Sequence, residues 1–418
     1  MYFVSTRDEN GKRFTATEAI MKGLAPDGGL FIPERIPSLP PTFTMENGYA
    51  YAAYEILKPY FEGDESYDDL YDICLKAFSF PVSIHQGGDG NDTLELYYGP
   101  TSAFKDFGAR FLAFFMENRL RKTGEDLTVL VATSGDTGGA VASAFHEREH
   151  LCVKVLFPKG GVSERQMRQL TCFDGNVESF EVDGTFDDCQ KMVKDAFMDP
   201  ELKGLTSANS INLGRLLPQV VYYVWASFIY EARYHKKAVF IVPSGNVGNS
   251  TGAFWAKAMG APIEHIELAV NANRTIPDYL ESGEYKPRKS CHTLANAMDV
   301  GAPSNMERLF SLFKTYEEFK ENVTSHSVDD LKIRLTIKDV YDESGYVICP
   351  HTACAEYVRR KYYEGVPTIV VATAHPAKFE SIVEPVIGKT VPIPETLYDM
   401  ITRDCSYTEI GTDYKDLF

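Results

Sequence analysis

The sequence predicts an α/β fold in which short parallel strands are covered by helices on both faces. Three observations lead there. From Thr93 onward, short apolar runs alternate with long amphipathic segments at helical spacing, as crossover-connected parallel strands require. Stretches rich in Gly, Ser, Thr and Asn fall directly after those runs, where ligands sit in such folds. The chain has 418 residues, 44% hydrophobic and 24% charged, an ordinary composition for a folded protein of about two to three domains.

The elements follow in order. Residues up to about 92 read as a separate N-terminal region, with helical spacing at Thr17–Met21 and a turn-rich Ala25–Gly29 leading into Leu30–Pro33. Two helical segments follow, near Gly48–Phe61 and Tyr67–Phe78, before a loop of glycines and acids at Gly87–Asp92. Beyond it come strand Leu94–Tyr98, helix Phe107–Lys122, strand Leu127–Ala132, helix Ala140–Glu149 and strand Val153–Phe157. Helix Glu164–Thr171, strand Val177–Val182 and helix Phe186–Phe197 repeat the unit. A long helix, Leu213–His235, returns the chain to strand Ala238–Val242, then to strands Ile266–Val270 and Thr368–Ala372.

Charge and cysteine usage narrow the function classes. Forty-two Lys and Arg against 59 Asp and Glu leave a net charge of −17, so neither nucleic acid nor an anionic membrane is an expected partner. The first residues carry no basic segment followed by an apolar one, and the longest apolar stretch, Val220–Tyr230, is too short to span a bilayer. Eight cysteines are scattered without a CxxC pair, the pattern of reduced thiols in a cytosolic protein. No zinc ligand quartet is present.

Five segments can carry chemistry. In Gly99–Phe107 a single lysine, Lys105, stands at a helix entry, against the helix dipole. It is either a solvated cation or a desolvated amine able to form a Schiff base with an aldehyde. Ser134-Gly135-Asp136-Thr137-Gly138-Gly139, between strand and helix, suits a carboxylate or phosphate, or else is a capped tight turn. Gly245, Asn246, Val247, Gly248 and Asn249 form a strand-to-helix loop whose glycines let backbone N–H groups approach a phosphate. It is neither a P-loop nor GxGxxG. Asn209–Arg215 brings two amides and a planar guanidinium to a helix start, a phosphate site or a plain cap. Thr373 opens a strand-end turn, Ala372–Lys378. His146-Glu147-Arg148-Glu149-His150 fits HExxH, but the helix must finish before the next strand, leaving His150 at a solvated terminus without the buried cleft a zinc site needs.

Together these segments resemble the pyridoxal-phosphate enzymes of the tryptophan-synthase-β fold type (fold type II), and within it the threonine synthase family. The resemblance rests on Ser5-Thr6-Arg7, Gly23–Leu30, Pro100–Asp106, Ser134–Gly138, and Asn209–Asn212 with Arg215. It implies two parallel-sheet α/β domains plus an N-terminal region: 1–92 N-terminal, 93–126 with 236–418 coenzyme-bearing, and 127–235 a smaller inserted domain. It implies that Lys105 carries pyridoxal 5'-phosphate as a Schiff base, that the Gly245–Asn249 loop cups the coenzyme phosphate, and that Thr373 faces the pyridine nitrogen. Ser134, Gly135 and Thr137 would grip the substrate carboxylate, and Asn209 and Arg215 the substrate phosphate. Asp136 stands where many relatives of the fold type have Asn, its contact with coenzyme or substrate open. The implied reaction converts O-phospho-L-homoserine and water to L-threonine and phosphate, in the cytosol, by a monomer or small homo-oligomer without a metal. The alternative is a related phospholyase that releases phosphate, a 2-oxo acid and ammonia.

Overall fold

The computed structural model describes residues 1–133 and 135–418. Two sheets organise it. The first has six strands in the order Thr324–Ser327, Ile263–Val270, Ala238–Pro243, Thr368–Ala372, Asn91–Glu95, Ser83–Gln86. All its pairings are parallel except the last. The second has five parallel strands, Thr408–Ile410, Val177–Val182, Leu151–Pro158, Leu127–Ala132 and Leu205–Ser207. Phe3–Ser5 and Phe31–Pro33 pair antiparallel in the N-terminal region.

The apolar runs are continuous because both faces of each sheet are covered. Phe240 and Val242 point into one core, while Val239 and Ile241 enter another beneath helices Asp330–Ser344 and Pro350–Tyr362. In the second sheet Val129 and Val131 join the first core, and Leu130 and Ala132 pack under Phe186–Met198. The core shared by the two sheets also takes in the N-terminal region, through Phe3, Phe14 and Phe31. The period of two along each strand therefore assigns each residue to its core. Among the described residues, no helix is long and apolar enough to cross a membrane.

Five strands lie outside the expected ranges: Phe3–Ser5, Ser83–Gln86, Leu205–Ser207, Thr324–Ser327 and Thr408–Ile410. The glycine loop at 87–90 is a hairpin turn, which returns Ser83–Gln86 antiparallel onto Asn91–Glu95. Thr408–Ile410, an exposed strand with little apolar signal, pairs with Val177–Val182 in the second sheet. The boundaries of several elements also shift. Strand Asn91–Glu95 ends early because Tyr97 and Tyr98 turn out to give their hydroxyls to the Glu95 carboxylate, each at 2.7 Å. Helix Asp136–Phe145 starts and stops earlier than expected, so His146 and His150 lie outside any helix, paired with Asp174 and Asp126 respectively.

Helices Lys105–Thr123, Leu213–Tyr234 and Gly248–Ala258 pack side by side between the sheets. Their spacing is set by glycine. A Cβ on Gly108 would lie 2.6 Å from the Arg215 carbonyl oxygen, one on Gly214 2.8 Å from Leu112, and one on Gly252 3.0 Å from the Gln219 backbone. Gly108→Ala should cost about 1–3 kcal/mol of overpacking, only partly offset by a helix-propensity gain of about 1 kcal/mol. Gly139→Ala is the control, since its Cβ meets only Gln169 at an ordinary 3.4 Å. Urea unfolding should show a net loss for the first and none for the second; equal stability would mean the helix crossing is not this tight.

Candidate active site

The strand ends converge on a cavity of about 380 Å³ between the two sheets. Lys105 enters from the first turn of its helix. The turn before it is built by Asp106, whose carboxylate accepts from the Thr101 N–H at 2.9 Å and the Thr101 hydroxyl at 2.7 Å. Phe104 N–H donates to Thr373 O at 2.8 Å and His375 N–H to Ser102 O at 3.0 Å, so the lysine turn and the Thr373 turn are laced together. Thr373 lines the same cavity.

Lys105 lines the cavity, where its Nζ donates to Thr137 Oγ1 at 2.6 Å. Burial lowers its pKa to about 8, with Arg215 and Lys378 adding to the fall and Asp136 opposing it. Thr137 follows Asp136 at the start of helix Asp136–Phe145. The Thr133 hydroxyl accepts from Gly135 N–H at 3.0 Å and Gly138 N–H at 2.9 Å, closing that helix end. Gly135 is required there: its φ is +135°, and a Cβ would meet Gln166 at 2.5 Å. It shapes the turn without lining the cavity, and Ser134 lies outside the described residues.

Asp136 is buried, and burial alone would raise its pKa. The charges of Lys378 and Lys105, with His351, outweigh that and hold it at about 2. Its Oδ1 lies 3.0 Å from Lys378 Nζ and accepts from Gln166 Nε2 at 3.3 Å. His351 lines the cavity with its pKa pushed down by burial to about 4, so it is neutral at pH 7. Its Nε2 accepts from Ala297 N–H at 3.2 Å.

The Gly245–Asn249 loop forms the opposite wall. A Cβ on Gly245 would lie 2.6 Å from the Met298 Cα, so the loop passes against the 296–302 segment as only glycine can. Val247 adopts φ +61°, a strained conformation for a β-branched residue. Its carbonyl holds it by accepting from the Thr251 hydroxyl at 2.7 Å and the Ser250 hydroxyl at 3.2 Å. Helix Gly248–Ala258 starts there, with free first-turn N–H groups at the cavity. Asn249 Oδ1 accepts from both Tyr222 and Tyr223 hydroxyls at 2.6 Å, while its buried Nδ2 has no partner among the described residues. Asn246 donates to Ser210 Oγ at 2.6 Å, tying this loop to the Asn209–Arg215 turn.

Asn209 lines the cavity and also serves its own turn, accepting from Asn212 N–H at 3.0 Å. Arg215 is buried; one terminal nitrogen donates to Ala208 O at 2.5 Å, and its Nε is unpartnered among the described residues. Burial lowers its pKa to about 10. The Ser5–Arg7 and Gly23–Leu30 segments lie outside the cavity lining and buttress it. Thr6 and Arg7 bond Glu307, and the neighbouring Arg308 donates to Phe31 O at 3.1 Å, Ile211 O at 2.7 Å and Asn305 Oδ1 at 2.6 Å. Asn305 in turn donates to Asn246 O at 3.1 Å.

The structure thus gathers Lys105, Asp136, Thr137, Asn209, Arg215, Gly245, Asn246, Val247, Gly248, Asn249 and Thr373 around one cavity. Sequence reasoning missed His351, Lys378 and the wall from Arg288 to Gly301. Lys378 sits within the quoted Ala372–Lys378 turn, but only its burial marks it out. The residues present fit an acceptor-rich aldehyde cofactor: a desolvated amine, an unpaired amide donor and a helix N-terminus face the same space.

Comparison with known proteins identifies the family. The chain matches the pyridoxal-phosphate dependent enzyme family over residues 94–371, the threonine synthase N terminus over 2–78 and the threonine synthase C-terminal family over 351–417. It is 40% identical to a threonine synthase of Haemophilus influenzae, with 92% of this chain and 91% of that one aligned. The PLP-bound threonine synthase structure from Brucella melitensis superposes with a TM-score of 0.92 at 34% identity, covering 100% of this chain and 98% of that one. The threonine synthase structure from Escherichia coli gives 0.90 at 36% identity, with the same coverage. The N-terminal, central and C-terminal matches run nearly end to end along one chain, and the chain belongs to the threonine synthase family.

Proposed function

We propose that this enzyme converts O-phospho-L-homoserine and water to L-threonine and inorganic phosphate, using pyridoxal 5'-phosphate held at Lys105. The observation that carries the assignment is that a desolvated lysine and a buried, partly unpaired arginine open onto one cavity. When bound, the coenzyme supplies an electron sink for negative charge developing on the substrate carbons.

The chain's own residues do the rest. The Gly245–Asn249 loop receives the coenzyme phosphate on its N–H groups, with the Asn249 amide as an added donor. The Thr373 hydroxyl meets the ring nitrogen, and Asp136 flanks the amine. Thr137 takes the substrate carboxylate, and Asn209 and Arg215 its phosphate, Arg215 by a charge-assisted contact strengthened by burial. The Lys105 amine, freed when substrate binds, removes the proton from Cα and serves proton transfer at Cβ. Cα and Cβ each give up a proton as phosphate departs from Cγ; Cγ and Cα each take one back, and water adds its hydroxyl at Cβ. The eight cysteines are free thiols, in keeping with a cytosolic location.

Incubating the coenzyme-loaded protein with O-phospho-L-homoserine should give threonine and phosphate in equal amounts, and Lys105→Ala should give neither. Phosphate with 2-oxobutyrate and no threonine would replace this assignment by the phospholyase. Capture of the coenzyme needs the unprotonated amine, and the charged form of Lys105 predominates below its pKa of about 8. The rate of reconstitution of coenzyme-free protein should therefore rise about tenfold per pH unit up to about pH 8 and level off above it. A rate still climbing toward pH 10 would show that the amine is not enclosed in this way.

A further inference from the structure

Lys378 has no part in the roles assigned above, yet it is 1% exposed and touches the groups that matter. Its ammonium lies 3.0 Å from Asp136 Oδ1 and donates to Thr101 O at 2.8 Å. Lys378 follows strand Thr368–Ala372 of the first sheet, and Asp136 follows strand Leu127–Ala132 of the second. Thr101 belongs to the turn that delivers Lys105. One cation therefore joins three loops across two sheets.

The charges facing this pair are few. Asp136 looks onto Lys378, Lys105, the Cys349 thiol and the neutral His351; Lys378 looks onto Asp136, Lys105, the neutral His351 and His375 and, further off, Asp106. Lys105 feels Asp136 on one side and Arg215 and Lys378 on the other. Without Lys378, a buried carboxylate would stand beside the reactive amine with little to cancel it, and would hold that amine protonated.

We infer that Lys378 is a positioning residue for the reaction, cancelling the field of Asp136 at Lys105 so that an acid can stand in the coenzyme pocket. The inference rests on Lys105 as the lysine that carries the coenzyme. A mere structural tie between the sheets would leave the protonation of the bound coenzyme unchanged, so the two roles separate by experiment.

The test is a double-replacement cycle on the coenzyme-loaded protein, read by the pH midpoint of the bound coenzyme's absorbance band. Lys378→Met should raise the midpoint by about one unit or more, and Asp136→Asn should lower it. The double variant Asp136→Asn/Lys378→Met should return to within about half a unit of wild type, because removing both partners leaves no unpaired charge. An unmoved midpoint in Lys378→Met, single variants that shift the same way, or a double variant no closer to wild type than Lys378→Met would each overturn the proposal. If Lys378→Met does not fold, the double variant decides: a near-wild-type midpoint supports the proposal, and a shift of about one unit overturns it. Lys105→Ala separates the two levels. A band that survives it overturns the coenzyme assignment and the proposal together; a band lost there but unmoved in Lys378→Met overturns the proposal alone.

Discussion

Everything at the site is referenced to one close approach. Gly108 lets helix Lys105–Thr123 lie against the Arg215 main chain, and Gly214 lets helix Leu213–Tyr234 lie against Leu112. With no side chain between them, the two helices bring a lysine and an arginine, 110 positions apart in the chain, to the wall of one cavity. Gly252 sets the third helix, and so the Gly245–Asn249 loop, by the same means. Packing of this kind transmits small volume changes, because there is no slack to absorb them.

The cavity is cationic inside an acidic protein. The net charge of −17 sits on a solvated surface, where it is screened within about 8–10 Å. Lys105, Arg215, Arg288 and Lys289 line it against Asp136, Asp187 and Asp299, with Lys378 and Asp106 buried at the turn that delivers the lysine. Burial raises Asp106 to about 6 and lowers Arg215 to about 10. Low polarity therefore makes each charge in the cavity depend on its neighbours to a degree that surface charges do not.

Much of the fold was legible because each signal was local. The strand at Thr368–Ala372 and the helix at Glu164–Thr171 have the predicted bounds, since an apolar run or an amphipathic period needs no distant partner to be recognised. Thr408–Ile410 was not legible, because three residues with a single apolar side chain become a strand only when Val177–Val182 is beside them. The candidate site divides the same way. The strand-end motifs around Lys105, Gly245 and Asn209 could be located from sequence, though each alone also fitted a bland role. Asn209 in fact serves both its turn and the cavity wall. Lys378 and His351 carry no such local mark; their importance comes from burial against residues more than two hundred positions away.

The site's dispersal along the chain has a consequence for synthesis on the ribosome. Its wall takes residues from Phe104 to Thr373, its buttress begins at Thr6, and the second sheet closes only when Thr408–Ile410 arrives. No chain that stops short of Lys378 holds the lysine, the phosphate loop and the Asp136–Lys378 pair together. A nascent chain therefore cannot assemble the whole site before Lys378 has left the tunnel, and the ligand's stabilising effect falls on chains past that point.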